Sequence, residues 1–380
     1  MKNSQSIRYL FGIYGFILPT FYISDSAIDT FNRNNLTAFT AAANPVLSVR
    51  PSLPTSSFQV GQSRLGFDFP IETLGKGVLE FDFIDFTKSS PTTAALPRVR
   101  RASIDLALGD GYSLLAGQDW DLFNSGVHPY TYNFVGHFFS AGDSGFMRTQ
   151  FTLKKKIESF QIAVSFGLPA ANNTSIDSTT ELSLLPVTEL QAQWSTDSIR
   201  FGVTLLGALT LTDVNSSDRI MSAGAVAYEE SSSKDSPLST KAKVYCGKNL
   251  SNLGMLSLSY GRIGNDVSEC GAVFTPKYQL SSSTGVFLGM GFAAAIQPEM
   301  VAAAYSGSPG SYTLNTQLPG IERNLTARIG FDHELAPKVK VFSELSFLST
   351  RHKLRTAELS SGINTEDQAF ILGTGLMLTL

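Results

Sequence analysis

Apolar and polar residues alternate with a period of two along several stretches of the chain. Within 58–70, Leu65, Phe67 and Phe69 share one parity, and Gln62, Arg64, Gly66 and Asp68 share the other. The pattern recurs where Leu79, Phe81 and Phe83 oppose Glu80 and Asp82, and where Ala102, Ile104 and Leu106 oppose Arg101, Ser103 and Asp105. A β-strand turns successive side chains to opposite faces, so each stretch predicts a strand with one apolar and one polar face. Two architectures meet that requirement. In a sandwich the apolar faces meet in a core. In a membrane barrel they face lipid, and the charges face a watery lumen.

The same test predicts strands at 14–23, 58–70, 76–87, 97–108, 111–120, 146–155, 159–168, 186–195, 198–210, 240–250, 254–263, 268–280, 284–297, 320–333, 337–349 and 368–380. Short turns such as Gly109-Asp-Gly111 and Thr196-Asp-Ser198 alternate with long polar loops throughout. A Ser- and Asp-rich stretch, 211–239, reads as one of those loops, with 220–228 able to extend a strand or form a small hairpin. A sandwich has no reason to sort its connections by length, whereas single-chain bacterial barrels have even strand numbers, short periplasmic turns and longer external loops. The chain therefore reads as all-β: one transmembrane antiparallel β-barrel domain over 1–380 with sixteen strands. Residues 1–24 compete between a first strand and a secretory signal cleaved near Ala27; the even strand count favours the strand.

Composition agrees with a lipid-facing surface. Charged residues make up 16% of the chain, below the roughly 25% of soluble domains. A net charge of −3 gives no basis for binding nucleic acid. No stretch supplies the ~20 continuous apolar residues of a spanning helix; the nearest, from Tyr9 to Ser24, is broken by Gly12, Gly15 and Pro19. His128, His137, His333 and His352 show no ligand spacing, and neither a phosphate-binding glycine loop nor a marked Ser-His-acid set is present. No enzyme, metal or cofactor is expected. Cys246 and Cys270 face lipid by parity on strands separated by a third, ~10 Å of sheet, so no disulfide is expected.

Placing the polar parity inside gives Arg64, Asp68, Glu80, Asp82, Arg101, Asp105, Arg148, Arg200 and Arg328 as candidate pore-lining residues, either facing solute or paired within the wall. Arg98 and Arg100 break parity and require a rim position or a bulge, and Gln118 and Trp120 leave the facing of their strand open. Gly373 and Gly375, on the inner parity of the last strand, leave room for the lumen. The third long loop, from Asp121 to Gly145, carries Phe123, His128, Tyr130, Tyr132, Phe134, His137, Phe138 and Phe139. So aromatic a loop would be costly in water, so it is expected to fold inward, with Asp121, Tyr130, Tyr132, Phe134 and His137 narrowing the pore. The alternative is packing against neighbouring loops or a subunit interface.

The run Gly61-Gln-Ser-Arg-Leu-Gly66, followed by Val78-Leu-Glu-Phe-Asp-Phe83, Arg98-Val-Arg-Arg-Ala102 and Leu115-Ala-Gly-Gln-Asp-Trp120, resembles the DcaP-type porins of Gram-negative bacteria over about sixty residues. The resemblance implies a trimeric, sixteen-stranded outer-membrane channel for small anions such as dicarboxylates, with Arg64, Arg101 and Gln118 as pore residues. The expected function is passive diffusion of small hydrophilic solutes across the bacterial outer membrane, with a weak anion preference. A surface-exposed adhesin, receptor or structural barrel with a plugged lumen is the second reading.

Overall fold

The computed structural model describes residues 11–25, 54–83, 97–133, 138, 141–144, 147–168, 183–211, 219–250, 267–298, 305–308, 311–314, 321–352 and 366–380. Among them sixteen strands form one closed antiparallel barrel: β1 (Gly12–Ile17 and Thr20–Ser24), β2 (Thr55–Gln59 and Arg64–Ile71), β3 (Gly75–Asp82), β4 (Arg98–Gly109), β5 (Tyr112–Trp120), β6 (Met147–Ile157), β7 (Phe160–Gly167), β8 (Ser183–Ser195), β9 (Ile199–Leu211), β10 (Arg219–Ser232), β11 (Leu238–Lys248), β12 (Ser268–Gln279), β13 (Thr284–Ala295), β14 (Ile321–Ala336), β15 (Val339–His352) and β16 (Glu366–Thr379). A separate hairpin, Tyr305–Ser308 with Ser311–Leu314, lies in the connection between β13 and β14. The seam joins the two ends of the chain. Phe16 pairs with Thr379 and Thr20 with Gly375, so no strand edge is left open to lipid. β1 breaks at Leu18-Pro19, where the Leu18 amide donates instead to Ser63 Oγ at 2.9 Å.

Alternation decides the facing. Phe151, Leu205, Met221, Leu288, Met290 and Ile329 are each more than half exposed on the outer surface. Their strand neighbours Gln150, Thr204, Ser222 and Arg328 are buried inside. An apolar belt around the whole circumference is unstable against water and is the surface that a hydrocarbon solvent requires.

Two readings are corrected. The stretch 211–239 is not one continuous loop, because the 14 residues of β10 run through its middle and pair with β9 from Ile199↔Ser231 to Leu211↔Arg219. Its signal is weak because Ser222-Ala-Gly-Ala225 gives little contrast between faces. The strand expected at 254–263 falls outside the described residues, and β11 pairs directly with β12. Removing that intervening strand brings Cys246 opposite Cys270, and the two form a disulfide on the outer side of the barrel. The argument against the bond failed at its premise.

The inner surface is filled by a repeated device. Six aromatic rings lie over the glycine directly opposite on the next strand: Tyr14 over Gly66, Tyr22 over Gly373, Tyr228 over Gly202, Tyr245 over Gly271, Phe287 over Gly330 and Phe342 over Gly375. A Cβ placed on Gly330 would lie 2.3 Å from the Phe287 ring, so the missing side chain is the seat for the ring. Gly373 and Gly375 therefore do not enlarge the lumen; they hold Tyr22 and Phe342 flat against its wall.

Candidate functional site

The third loop folds into the barrel. Asp121 caps a single 3-10 turn, Leu122–Asn124, by accepting from the Asn124 amide at 2.8 Å. The turn docks on β8 and β9. The Leu122 amide donates to Glu189 at 2.8 Å, and Gln191 and Thr204 both donate to the Leu122 carbonyl. Phe123 is fully buried among Val187, Leu206, Val226, Tyr245, Leu250 and Ala293. Farther along, the Tyr130 amide donates to Thr275 on β12 and its hydroxyl to Ser239 on β11. Tyr132 stacks on Phe342 of β15 with ring centroids 4.3 Å apart and planes 7° from parallel. Its amide donates to Glu344 at 2.6 Å, and Gln62 donates to Asn133. Lys243 of β11 holds Asp143 at 2.6 Å. The aromatic loop has traded water for the inner wall from β8 round to β2, as its composition required.

The arc from β2 to β5 carries a cluster of arginines and carboxylates. Glu80 pairs with Arg101 but Phe81 pairs with Val99, so Arg100 is an extra residue on β4: a β-bulge. The bulge resolves the parity conflict by turning Arg98, Arg100 and Arg101 to the same side. Arg98 grips Asp82 with two bonds, Arg100 bridges Glu80 and Asp82, and Arg101 grips Asp119 with two bonds. Arg64 lies one strand away, directly opposite Asp82, with its guanidinium 5.5 Å from the centre of the Phe16 ring. Four arginines against Glu80, Asp82 and Asp119 leave one net positive charge in this cluster. The side chains of Arg98 and Arg101 remain 31% and 27% exposed.

His128 joins the two sides. Its ring lies 4.9 Å from that of Trp120, which in turn receives the Arg100 guanidinium at 5.5 Å. Desolvation inside the barrel, and then repulsion from Lys243, Arg64, Lys241 and Arg100, holds the imidazole well below its ordinary range and therefore neutral. The group senses an electropositive interior.

The residues singled out from sequence fall into distinct places. Arg64, Asp68, Glu80, Asp82, Arg101 and Asp105 lie on the inner register of β2–β4, with Asp105 near Lys154 at 3.5 Å toward the short-turn end. Arg200 also lies inside, bonded to Glu230 and to the Gly126 carbonyl of the loop. Arg148 does not line a pore. Its side chain and that of Asp121 are essentially fully buried, with Nε and Nη2 on one carboxylate oxygen at 3.1 and 3.0 Å, and the pair locks the loop root. Arg328 is likewise enclosed, bonded to Thr131, Ser346 and Glu344 beneath the loop. Gln118 is opposite Ala102 and Thr149, both exposed on the outer surface, and its amide donates to the carbonyls of Val99 and Arg100. Asp121, Tyr130 and Tyr132 belong to the docked loop, while Phe134 and His137 lie outside the described residues. Sequence reasoning missed Asp119, Glu230 and His128. Asp119 follows Gln118, and settling the facing of β5 would have found it.

No protein-family model matches the chain, and no curated protein matches it. Solved structures do. An anion-selective porin from Comamonas acidovorans aligns with a TM-score of 0.59 at 9% identity, covering 97% of this chain and 99% of that one. OmpF of Salmonella typhi, solved in complex with daunomycin, aligns at 0.57 and 12% identity over 97% of both chains. In-vitro folded OmpT of Vibrio cholerae, an outer membrane protein in its trimer form, aligns at 0.57 and 13% identity over 97% of this chain and 99% of that one. At these identities the likeness is one of fold: this chain has the sixteen-strand porin architecture.

Proposed function

We propose that the chain is a bacterial outer-membrane porin, a passive channel whose narrowest part lies between the inward loop and the arginine-bearing arc β2–β5. The observation that carries this reading is the placement of the loop and the arginines: the loop is bonded to β8, β9, β11, β12, β15 and Gln62, and Arg98 and Arg101 on β4 stay partly exposed. A cluster with one surplus positive charge attracts small anions and orients them as they pass. That supports a weak anion preference over strict selection, because three carboxylates share the same wall. Small anions such as dicarboxylates fit it, in keeping with the likeness of 61–120 to the DcaP-type porins. A homotrimer is the assembly proposed.

A barrel plugged by its loop is the second reading. The enclosed pairs Arg148–Asp121 and Arg328–Glu344 favour it, because they fasten the loop to the wall. Single-channel recording in a planar bilayer decides between them. A porin gives steady ohmic conductance and a reversal potential of anionic sign in a KCl gradient. Absence of conductance sinks the channel reading, and a cationic sign sinks only the preference.

A further inference from the structure

A polar side chain on the outer register of a membrane barrel needs a reason, because hydrocarbon leaves its hydrogen-bonding groups unmet. Gln118 is such a residue. A β-bulge creates the complementary problem, since its extra residue falls out of the ladder and leaves backbone groups unpaired. The Gln118 amide nitrogen carries two hydrogens, and it lies 3.1 Å from the Val99 carbonyl and 2.9 Å from the Arg100 carbonyl. Two donors meet two acceptors, at the place where β4 departs from regular pairing with β3.

We infer that Gln118 is a positioning residue for selectivity: from outside the barrel it fixes the bulge that turns Arg100 inward beside Arg98 and Arg101. The inference rests on the channel reading. Regular alternation continued from Arg101 would turn Arg98 and Arg100 outward, and the bulge brings all three arginines inside. With its carbonyls held, the backbone at Arg100 directs the guanidinium onto Glu80 at 2.9 Å and Asp82 at 3.0 Å. The sulfur-free, uncharged amide does this without adding charge to the lipid face.

The test uses the full-length chain refolded into detergent and planar bilayers. Gln118→Leu keeps an apolar stem of nearly the same size and removes both donors. Its salt-gradient reversal potential is expected to shift toward that of Arg100→Ala, although residue 118 is outside the pore. Deleting Arg100 restores regular alternation and removes the need for the amide, so adding Gln118→Leu to that deletion is expected to change neither reversal potential nor barrel heat-stability on a gel. If Gln118→Leu does not fold, the double variant still decides by comparison with the Arg100 deletion alone: folding with the heat-stability of that deletion supports the inference, and failure to fold where the deletion alone folds overturns it. A Gln118→Leu channel with unchanged reversal potential overturns it directly. Wild-type protein that does not conduct is a failure of the channel reading, and the heat-stability comparison then tests the bulge alone.

Discussion

Replacing Arg328 with methionine should release the middle of the lumen loop. The Arg328 side chain is fully buried; it donates to Ser346 at 2.8 Å and to Thr131 and pairs with Glu344 at 3.3 Å. Glu344 in turn receives the Tyr132 amide at 2.6 Å. Methionine fills a similar volume but leaves the Glu344 carboxylate enclosed without a cation. Breaking a buried pair by removing one partner costs about 3–5 kcal/mol, and the lower end suits a barrel interior that water can reach. The Tyr132–Phe342 stack remains and contributes about 0.5–1.5 kcal/mol beyond its burial, too little to compensate. A penalty of about 3 kcal/mol shifts the docked-to-released ratio of the 131–133 segment by about a hundredfold. Released loop should appear as larger, noisier single-channel conductance and as new protease cleavage within 121–146. Arg328→Met with Glu344→Gln removes the stranded charge while the glutamine carbonyl still accepts from Tyr132, so the double variant should recover all but about 1 kcal/mol. Wild-type conductance and cleavage in Arg328→Met, or no recovery in the double variant, would refute the reasoning.

Other outcomes follow from the same geometry. Arg64→Ala and Arg101→Ala should each move the reversal potential toward cation preference; Arg101→Ala should do so more, because it leaves Asp119 without its bidentate partner, and a bilayer salt gradient reads both. His128 is neutral in the folded protein but takes a proton near pH 6.5 when released. The released state thus binds more protons below that pH, so loop docking is undiminished above about 6.5 and weakens as pH falls below it. Protease cleavage of the loop should rise over that range in wild type and not in His128→Asn. Gly330→Val places a branched side chain where the Phe287 ring lies and should lower heat-stability by about 1–3 kcal/mol, with Phe287→Leu restoring part of it. Non-reducing gels should show the Cys246–Cys270 bond, and Cys246→Ser with Cys270→Ser should cost about 3 kcal/mol by the loop-closure argument for its 24-residue separation.

What the sequence revealed depended on contrast and on range. β2, β3 and most of β4 were legible because large apolar side chains alternate with charges. β10 was not, because Ser222 to Ala225 are all small. The inward loop was legible from its aromatic content alone. The roles of Arg148 and Arg328 were not, since parity places a side chain inside without saying whether the loop will cover it; their partners Asp121 and Thr131 come from that loop. The bulge was visible only as a contradiction at Arg98 and Arg100, and Gln118 was placed in the pore by the resemblance to the DcaP-type porins alone, since parity left the facing of β5 open. The disulfide was lost to a miscounted strand, although both cysteines had been given the correct side.

The rings seated on glycines have one more consequence. Calibre and sign are governed by different residues in different places. Tyr22, Tyr228, Tyr245, Phe287 and Phe342 set how much of the bore is occupied, and they carry no charge and lie away from the arginine arc. Exchanging a ring and its glycine for two medium-sized side chains would redraw the cross-section and leave the electrical character of the channel untouched. Bore and charge can therefore be altered independently of one another.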